Sequence, residues 1–530
     1  MNSNNETSMD INSKNSNKIN YLILIIAISI FLINVQDIIN YTVDDTFIGL
    51  RYAENLALGN GFSWNADGGP EFGFSNYLTV IFVSFGIIAG FDALLVSKFL
   101  SIFCGVLTII LLGLFVKKLV GKKFNLYFIP SLILALMPPF WIHSVTGMET
   151  TLFLFLVLFS SYTYITILSK PKIEYRILLI TLLSLCMIAR PEGFLITISM
   201  IVHSIFENYR LKRSIINRDT VVLFVPLGFL ASILLWNNFY FGHYLPNPLL
   251  IKSNKNYFDY VVNAYYIFHY LTFLGPFVIL GLIRIKKNFK DSKISYLIIQ
   301  VIVFLIPYLT ISQQMNYEHR FYFTTITIII LIGFTSFLFL RDRYIPIRYN
   351  KISTFLIILL LLAYPFVLFN QVTETIKDTT TNLANAHIKL GKDLANIEEL
   401  ENQTLATLHD AGAIPYYSKM NTYDYYLNDY HSAKNGFSTE YFFKQNPGVI
   451  VMTFTNKIES ADFNKSDNFI NNLIENQNNP RFIEILSDEN FKDFHLVSIY
   501  EYTTGYYLNV FIHDDIILEY PKISEQLKQS

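Results

Sequence analysis

Two adjacent carboxylates, Asp44 and Asp45, directly follow a long apolar stretch of the sequence. The segment YTVDDTFIGLRYAENLALGNGF, residues 41–62, continues through Arg51 to a Gly-Asn-Gly turn at 59–61. A carboxylate can deprotonate a hydroxyl nucleophile or hold a metal ion, and a guanidinium can bind a phosphate through two hydrogen bonds. These residue types are therefore suited to acid–base chemistry beside a phosphate at a membrane surface.

A helix over residues 46–58 is predicted to position these groups, with Asp44 and Asp45 at its N-terminus. Carboxylates there are stabilised as anions by about 0.3–1 kcal/mol through the helix dipole. Helical spacing puts four residues on one face of this helix: Asp44, Ile48, Arg51 and Asn55. A second interpretation stays open, in which Asp44 only caps a helix at the membrane interface.

Apolar runs dominate the 530-residue chain, which is 52% hydrophobic and only 15% charged. A soluble protein carries about a quarter charged residues, and a run of roughly 20 apolar residues can cross a bilayer as a helix. We therefore predict a polytopic α-helical membrane protein with about eleven transmembrane helices. The predicted spans are centred near residues 21–38, 93–116, 125–141, 150–168, 176–189, 193–206, 219–238, 271–285, 294–312, 322–340 and 352–369.

The distribution of Lys and Arg predicts the orientation of these spans. Five basic clusters lie at residues 117–123, 170–176, 210–218, 284–293 and 341–351. Because basic loops stay in the cytoplasm, all five face it only if the short apolar segment 75–90 does not cross. We therefore expect 75–90 to be re-entrant or interfacial, within a first outer loop at 39–92. Residues 1–20 form a polar cytoplasmic tail, so the first span is expected to be a retained helix.

The predicted membrane domain covers residues 21–369, and the polar segment 370–530 follows it on the outer side. Apolar residues recur at helical spacing over 372–397, and residues 495–514 are typical of a β-hairpin turning at 503–505. We expect a small extracytoplasmic α/β domain in this part of the chain.

Further ionisable residues fall at the outer ends of predicted spans. They are Glu149 in TGMET, Arg190 and Glu192 in RPEG, and Arg320 in EHRF. Ionisable groups near hydrocarbon are costly and indicate function by default. An alternative for Arg190 and Glu192 is a local ion pair that closes the turn at Pro191.

Several kinds of ligand find no support in the sequence. The net charge of −1 gives no reason to expect nucleic acid. Cys104 and Cys186 both lie inside apolar runs, so neither disulfides nor thiolate metal sites are expected. The histidine spacing shows no metal pattern, and no cofactor is predicted, although the paired acids could hold a divalent cation.

The motifs resemble the first outer loop of one branch of the GT-C membrane glycosyltransferases. That branch includes cell-wall arabinofuranosyltransferases that use a decaprenyl-phosphate sugar donor. The resemblance begins with DDTFIGLRYAENLALGNGFSWN and GFSNYL. It continues, in the same order along most of the chain, with TGMETTLF, RPEG, LPNPLLIK, HRF and DAGAIPYYS.

This resemblance implies an inverting glycosyltransferase at the outer face of the cytoplasmic membrane. A polyprenyl-phosphate sugar would be the donor, and a glycan, lipid or protein hydroxyl the acceptor. Asp44 and Asp45 match the pair that holds the general base, and Glu149 matches a second active-site acid. Arg51, Lys252 and Arg320 match basic positions suited to the donor phosphate. The remaining motif positions expected to bind substrate are Asn76, Arg190, Glu192, Asn247, His319, Asp410 and Asp424.

The sequence departs from the family pattern at three positions. Pro248 stands where the family has threonine, Glu71 precedes the position of the family's acid, which is Phe72 here, and Tyr426 replaces a glycine. Two other classes of function remain as alternatives: a lipid-linked sugar flippase or transporter, and a non-catalytic envelope protein. A flippase would have broken helices and ionisable groups near mid-membrane.

Overall fold

The computed structural model describes residues 3–121, 124, 126–252, 260–313, 315–346, 350–425, 427–458, 473–474, 477 and 479–529. The chain divides into two compact units. The first unit comprises Met1–Asn40, Ser97–Leu235 and Ser253–Glu374, and the second comprises Tyr41–Val96, Trp236–Lys252 and Thr375–Ser530. The second unit thus combines the predicted first outer loop with the polar C-terminal segment.

The first unit is helical. Its helices lie wholly or largely at Ser3–Asp37, Ala93–Val120, Ile129–Ala135, Pro138–Val145, Thr150–Ser169, Ile173–Ala189, Phe194–Arg210, Arg218–Val222, Val225–Phe241, Tyr260–Phe273, Gly275–Ile283, Ile285–Asn288, Ser292–Leu305, Ile326–Tyr344 and Asn350–Leu383. Short 3-10 turns occupy Pro191–Gly193, Ile306–Leu309, Tyr317–His319 and Phe323–Thr325.

Within the described residues, six helices are long and apolar enough to cross a bilayer. They are Lys18–Asp37, Ala93–Val120, Thr150–Ser169, Arg218–Phe241, Ser292–Leu309 and Phe323–Tyr344. The number rises to seven if the pair Tyr260–Phe273 and Gly275–Ile283 is one span, and these two helices meet at 86°. The chain is therefore a polytopic α-helical membrane protein, as the sequence predicts, while the count of eleven spans stays a prediction.

The other predicted spans are shorter helices or parts of longer ones. Prolines divide 125–141 into Ile129–Ala135 and Pro138–Val145, because proline begins a helix readily but cannot continue one. Ile173–Ala189 and Phe194–Arg210 have 17 residues each, about 26 Å at 1.5 Å per residue. The segment 352–369 lies in Asn350–Leu383. The predicted re-entrant segment forms the 12-residue helix Tyr77–Ile88.

A five-stranded mixed sheet forms the centre of the second unit. Its strands are β1 (Thr404–Thr407), β2 (Asn421–Asp424), β3 (Pro447–Phe454), β4 (Phe494–Thr503) and β5 (Tyr506–His513). The spatial order is β2-β1-β3-β5-β4, with β1 parallel to β2 and β3, and β5 antiparallel to β3 and β4. β4 and β5 are the predicted hairpin, which confirms the α/β character of this segment.

Both faces of the sheet are covered by apolar residues. Val449 and Val451 of β3 face one core with Leu390 and Leu394, whereas Ile450 faces the other. Successive side chains of a strand point to opposite faces, so a strand covered on both sides needs the continuous apolar run GVIVM. The helices of this unit are Asp44–Ala57, Tyr77–Ile88, Asn247–Lys252, Lys389–Ala395, Ala413–Ser418, Tyr430–Asn435, Thr439–Lys444, Pro480–Ser487, Asp514–Glu519 and Ile523–Gln529. One π-type turn, Ala384–Ile388, precedes Lys389.

Candidate active site

Asp44 begins the helix Asp44–Ala57 and binds a turn of the C-terminal segment. Its Oδ2 accepts a hydrogen bond from the Gly412 amide at 3.0 Å, and its Oδ1 accepts one from the Ala413 amide at 2.7 Å. Gly412 has to be glycine here, because a Cβ at this position would overlap the backbone and carboxylate oxygens of Asp44. The predicted helix and its acidic start are confirmed, and the partner of Asp44 lies 368 residues further along the chain.

The position of Asp44 relative to the sheet follows from strand order. β1 pairs in parallel with β2 on one side and with β3 on the other; the chain leaves the carboxyl end of β1 toward β2, and it leaves that of β3 toward the opposite side of the sheet, where β4 and β5 lie. Such a switch point leaves a crevice at the carboxyl ends of the strands, where α/β proteins bind ligands. Gly412 and Ala413 follow β1 at this edge, so Asp44 is held beside the crevice.

The environment of Asp44 raises its pKa above that of an ordinary aspartate. Burial raises the pKa of Asp44 to about 6, and the charges of Asp410 and Asp45 raise it as well, whereas His387 and the Ala413 amide act in the opposite direction. A carboxyl group with a pKa near the operating pH is an effective general base. Asp45 is its sequence neighbour and is half-buried.

A second carboxylate, Asp410, follows β1 and is held by three side chains. His387 Nε2 lies 3.1 Å from its Oδ1, the Tyr506 hydroxyl donates to Oδ1 at 2.7 Å, and Thr453 Oγ1 donates to Oδ2 at 3.0 Å. His387 is only 3% exposed, and its ring packs edge-on against Tyr502.

Asp410 and His387 stabilise each other's charged form. Burial by itself would raise the pKa of Asp410, but the charge and hydrogen bond of His387 outweigh it and lower the pKa. Burial likewise opposes protonation of His387, and Asp410 outweighs it, so the pKa of His387 is raised. The sequence indicated Asp410 but not His387, Tyr506 or Thr453. A single histidine in an amphipathic helix gives no signal of its distant partner.

Arg51 is fixed by neutral acceptors of the same unit. Its Nε donates to the Trp64 carbonyl at 2.8 Å, its Nη2 donates to the Met420 carbonyl at 2.8 Å and to Asn65 Oδ1 at 2.9 Å, and its Nη1 donates to the Pro415 carbonyl. The guanidinium also covers the Trp64 ring. Arg51 therefore holds together the segments of the chain near Asp44. The sequence predicted a contact with the donor phosphate for Arg51 and did not indicate this structural role.

Asn247 and Asp424 join loops of the second unit. The Asn247 amide donates to the Phe72 carbonyl at 2.9 Å, and its Nδ2 donates to the Leu427 carbonyl at 3.0 Å. Asp424 Oδ2 accepts hydrogen bonds from the Leu427 and Asn428 amides, both at 3.1 Å, and so organises the turn after β2.

Glu71 is a further acid in the second unit. Burial raises the pKa of Glu71 to about 7, and the nearby charge of Asp429 acts in the same direction. Asn247 hydrogen-bonds Glu71. Asn76 precedes the helix Tyr77–Ile88, and Lys252 ends the helix Asn247–Lys252, with its side chain outside the described residues.

In the first unit, Glu149 and two arginines form a buried charge cluster. Arg190 Nε and Arg320 Nη2 lie 3.7 Å and 3.6 Å from Glu149 Oε1, and all three residues are at most 8% exposed. Arg190 Nη2 also lies 2.7 Å from Glu192 Oε1, which accepts from the Tyr308 hydroxyl at 3.1 Å. The local pair at Pro191 is therefore present, but it is part of a larger cluster.

Tight backbone geometry holds this cluster. Glu149 precedes the helix Thr150–Ser169 after a turn at Gly147 with φ of 80°. Glu318 and His319 have φ of 45° and 60°, a left-handed conformation that is strained for both residues and is found at functional sites. The His319 ring packs against His269 and Tyr270, and burial lowers its pKa to about 4, so His319 is neutral at pH 7.

The comparisons with known proteins bear on the fold. No protein-family model and no curated protein matches the sequence. ArnT from Cupriavidus metallidurans bound to undecaprenyl phosphate is similar over 92% of this chain and 97% of its own, with a TM-score of 0.57 and 9% identity. The fold is GT-C-like. ArnT in the apo state gives a TM-score of 0.52 at 8% identity, with the same coverage of 92% and 97%.

A second GT-C protein has a similar fold. The archaeal oligosaccharyltransferase AglB from Archaeoglobus fulgidus, in complex with an inhibitory peptide and a dolichol-phosphate, matches 82% of this chain and 69% of its own. Its TM-score is 0.53 and its identity 14%. At these identities the likeness establishes the GT-C-like fold, and the chemistry has to be argued from the residues of this chain.

Across the described ranges, no group of three or more His, Cys, Asp or Glu side chains could hold a metal ion. Asp44 and Asp410 instead bind amide, hydroxyl and imidazole groups of the protein. These residues can take up and release protons, which is the chemistry that the site offers.

Proposed function

We propose that this protein is an inverting glycosyltransferase that transfers a sugar from a polyprenyl-phosphate donor to an acceptor hydroxyl outside the cytoplasmic membrane. The observation that carries the proposal is Asp44, a half-buried carboxyl with a pKa of about 6 beside the crevice at the carboxyl ends of the strands, in a membrane protein of GT-C-like fold. Of the proteins of similar fold, ArnT was crystallised bound to undecaprenyl phosphate and AglB was solved in complex with a dolichol-phosphate, which supports a lipid phosphate as donor.

Asp44 is our candidate for the general base. It would take the proton of the acceptor hydroxyl while the oxygen attacks the anomeric carbon and the bond from that carbon to the phosphate oxygen breaks. Its two amide hydrogen bonds fix the direction of the carboxylate, which matters because a misplaced base loses much of its effect. Asp45 acts on Asp44 through charge, raising its pKa.

Arg190 and Arg320 are our candidates for binding the donor phosphate. They lie 3.7 Å and 3.6 Å from Glu149, longer than the 2.7–2.9 Å typical of a charge-assisted hydrogen bond. A phosphate could therefore compete with Glu149 for their donors, and positive charge stabilises a departing phosphate. Glu149 would keep the two guanidiniums in place when no phosphate is bound.

The first experiment compares lipids from a deletion strain rescued with wild type, Asp44→Asn or Asp67→Asn. Asp67 is an exposed acid of the same loop and serves as the matched control. Polyprenyl-phosphate sugars are quantified by mass spectrometry at equal membrane expression. We expect one such lipid to accumulate in the deletion strain and with Asp44→Asn, but not with Asp67→Asn, and its mass would name the sugar class.

A second set of variants tests the phosphate assignment by itself. Arg320→Gln should reduce transfer about 100-fold. Arg213→Gln is the control and should stay close to wild type, because Arg213 is an exposed arginine of the same unit.

The deletion experiment has two outcomes that would contradict the proposal. Unchanged donor pools in the deletion strain would remove the transferase proposal. If the deletion strain accumulates the lipid but Asp44→Asn restores the wild-type pool, the role of Asp44 as base is removed and the flippase alternative is favoured.

A further inference from the structure

A cavity of about 610 Å³ opens in the first unit where two helices end. One wall is residues 282–287, at the end of Gly275–Ile283, and the other is residues 339–344, at the end of Ile326–Tyr344. We propose that this cavity binds the phosphate of an anionic membrane lipid. The proposal does not depend on the transferase reaction.

Arg284 is the central cation of the cavity. Its guanidinium lies 3.6 Å from the centroid of the Phe339 ring, which holds it by a cation–π contact. Its Nε and Nη1 are buried and have no hydrogen-bond partner among the described residues. Buried donors normally bind an acceptor, so these two nitrogens indicate a ligand oxygen. Each of these nitrogens can donate to a phosphate oxygen, and the fixed positive charge of the guanidinium favours such an anion.

The charge of the cavity is one-sided. Lys286, Lys287 and Arg343 line it with Arg284, and its described lining contains no Asp or Glu. The charge of Asp291 acts on Arg284 from outside the lining, and its Oδ1 accepts from the Lys293 amide at 2.9 Å. Asp342 Oδ1 accepts from Arg341 Nε at 2.8 Å. Four cations and no carboxylate in the lining favour binding of an anion that can contact several of these cations at once.

The fold holds the two walls together. Asn288 donates from Nδ2 to Ser336 Oγ at 2.9 Å and to the Gly281 carbonyl at 3.3 Å, which fixes the turn after the first helix to the second helix. Gly333 lets the helices approach closely, because a Cβ there would overlap the Phe277 backbone. The backbone that carries Arg284 is therefore held in a fixed position between the two helices.

The apolar part of the lining identifies a lipid as the source of the phosphate. Leu282 and Ile283 are 59% and 65% exposed, and Leu340 and Phe339 complete an apolar surface next to the cations. A free phosphate ion would make no use of this surface, whereas a lipid phosphate brings a chain to cover it. The cavity lies in the basic cluster predicted to face the cytoplasm, where anionic lipids are attracted to Lys and Arg.

The test is native mass spectrometry of the delipidated full-length protein with added phosphatidylglycerol, phosphatidylcholine or inorganic phosphate. Wild type should bind its first phosphatidylglycerol about tenfold more tightly than phosphatidylcholine. Arg284→Gln should lose about tenfold in affinity for phosphatidylglycerol, since it removes charged hydrogen-bond donors. Lys290→Gln is the matched control, because Lys290 is exposed in the same cluster but does not line the cavity.

Three outcomes would overturn the proposal. They are equal affinity of Arg284→Gln and wild type for phosphatidylglycerol, equal binding of the zwitterionic lipid, and inorganic phosphate binding as tightly as the lipid. The last result would assign the cavity to a free anion. If Arg284→Gln fails to fold, Arg343→Gln carries the test, since Arg343 is exposed and its replacement should still weaken lipid binding severalfold.

Discussion

Asp44 combines two properties that normally oppose each other. Two backbone amides donate to its carboxylate, which favours the charged form, yet burial raises its pKa to about 6. The result is a carboxyl group that is held in a defined direction and still has affinity for a proton near neutral pH. Such a group suits proton removal from a sugar or lipid hydroxyl.

The pH dependence of transfer follows from this pKa. Because only the deprotonated carboxylate can accept a proton, kcat/KM should be constant above about pH 7 and fall about tenfold per pH unit below pH 6. The measurement is transfer by reconstituted protein between pH 4.5 and 8, with Asp67→Asn as a control that keeps the same profile. A rate that does not change across this range would exclude Asp44 as the base.

The pair His387–Asp410 makes a stability prediction with a defined pH window. The lowered pKa of Asp410 contributes stability above about pH 4, which is lost as the pH falls through the folded value. The raised pKa of His387 contributes stability that is fully present below about pH 6.5 and is lost as the pH rises through the folded value. The pair therefore stabilises the second unit most between these limits.

His387→Gln should destabilise the protein by about 3 kcal/mol at pH 6, because it leaves the buried Asp410 without its cation. The loss relative to wild type should shrink as the pH rises through the folded pKa of His387, because the imidazole is then neutral in both states. Thermal unfolding between pH 5 and 9 measures this difference, and His431→Gln is the control because His431 is exposed. A difference that is the same at every pH would show that the charge pair contributes nothing.

Residue types alone singled out several candidate residues, because charged groups are scarce in so apolar a chain. They are Asp44, Asp45, Glu149, Arg190 and Arg320, whereas Asp410 was indicated only by the family resemblance. The partners of these residues could not be found in the same way. His387 and Tyr506 bind Asp410 from 23 and 96 residues away, and no periodicity connects such positions.

At the scale of elements, the start of the helix Ala413–Ser418 fixes the direction of Asp44. Gly412 allows this contact because it has no side chain. The helix start therefore gives the Asp44 carboxylate a defined direction, and this contact requires glycine at position 412.

Gly412→Ala should therefore reduce transfer at least tenfold and destabilise the protein by about 1–3 kcal/mol, since the added Cβ overlaps Asp44. Activity and thermal unfolding of the same preparation measure both effects. Gly228→Ala is the matched control, because a Cβ at Gly228 meets nothing within 4 Å. Wild-type activity in Gly412→Ala would contradict the close contact.

Elements that depend only on residues close together in the sequence were predicted well. The helix predicted over 46–58 is Asp44–Ala57, and the predicted hairpin is β4 and β5. The segment 271–285 was predicted as one continuous span, but the helix breaks after Phe273, where Leu274 and Gly275-Pro276 begin a new helix at 86°. Hydropathy averages over such a break, so it does not detect it.

At the scale of the whole molecule, the composition of the second unit was not predicted. It includes residues 41–96 and 236–252 as well as the C-terminal segment. Contacts such as Asp44 with Gly412 and Phe72 with Asn247 join these segments. Span prediction treats the outer loops as connections, and it therefore could not indicate that they share a compact unit with the sheet.

The predicted orientation can be tested by cysteine labelling. Asp67→Cys and Lys492→Cys should react with a membrane-impermeant maleimide in intact cells, whereas Lys290→Cys should react only after permeabilisation. All three positions are exposed, and the native Cys104 and Cys186 are buried, so their background is low. Labelling of Lys290→Cys and Asp67→Cys from the same side would refute the predicted arrangement.

The contact between Asp44 and Gly412 also determines when the site can form during synthesis. The two residues are 368 positions apart. At 5–20 residues per second, the ribosome needs about 20–70 s between them. During that interval the Gly412 and Ala413 amides that orient the Asp44 carboxylate have not yet been synthesised. A chain that is interrupted before β1 would lack these amides, so the early loop reaches its final arrangement only after the C-terminal segment is made.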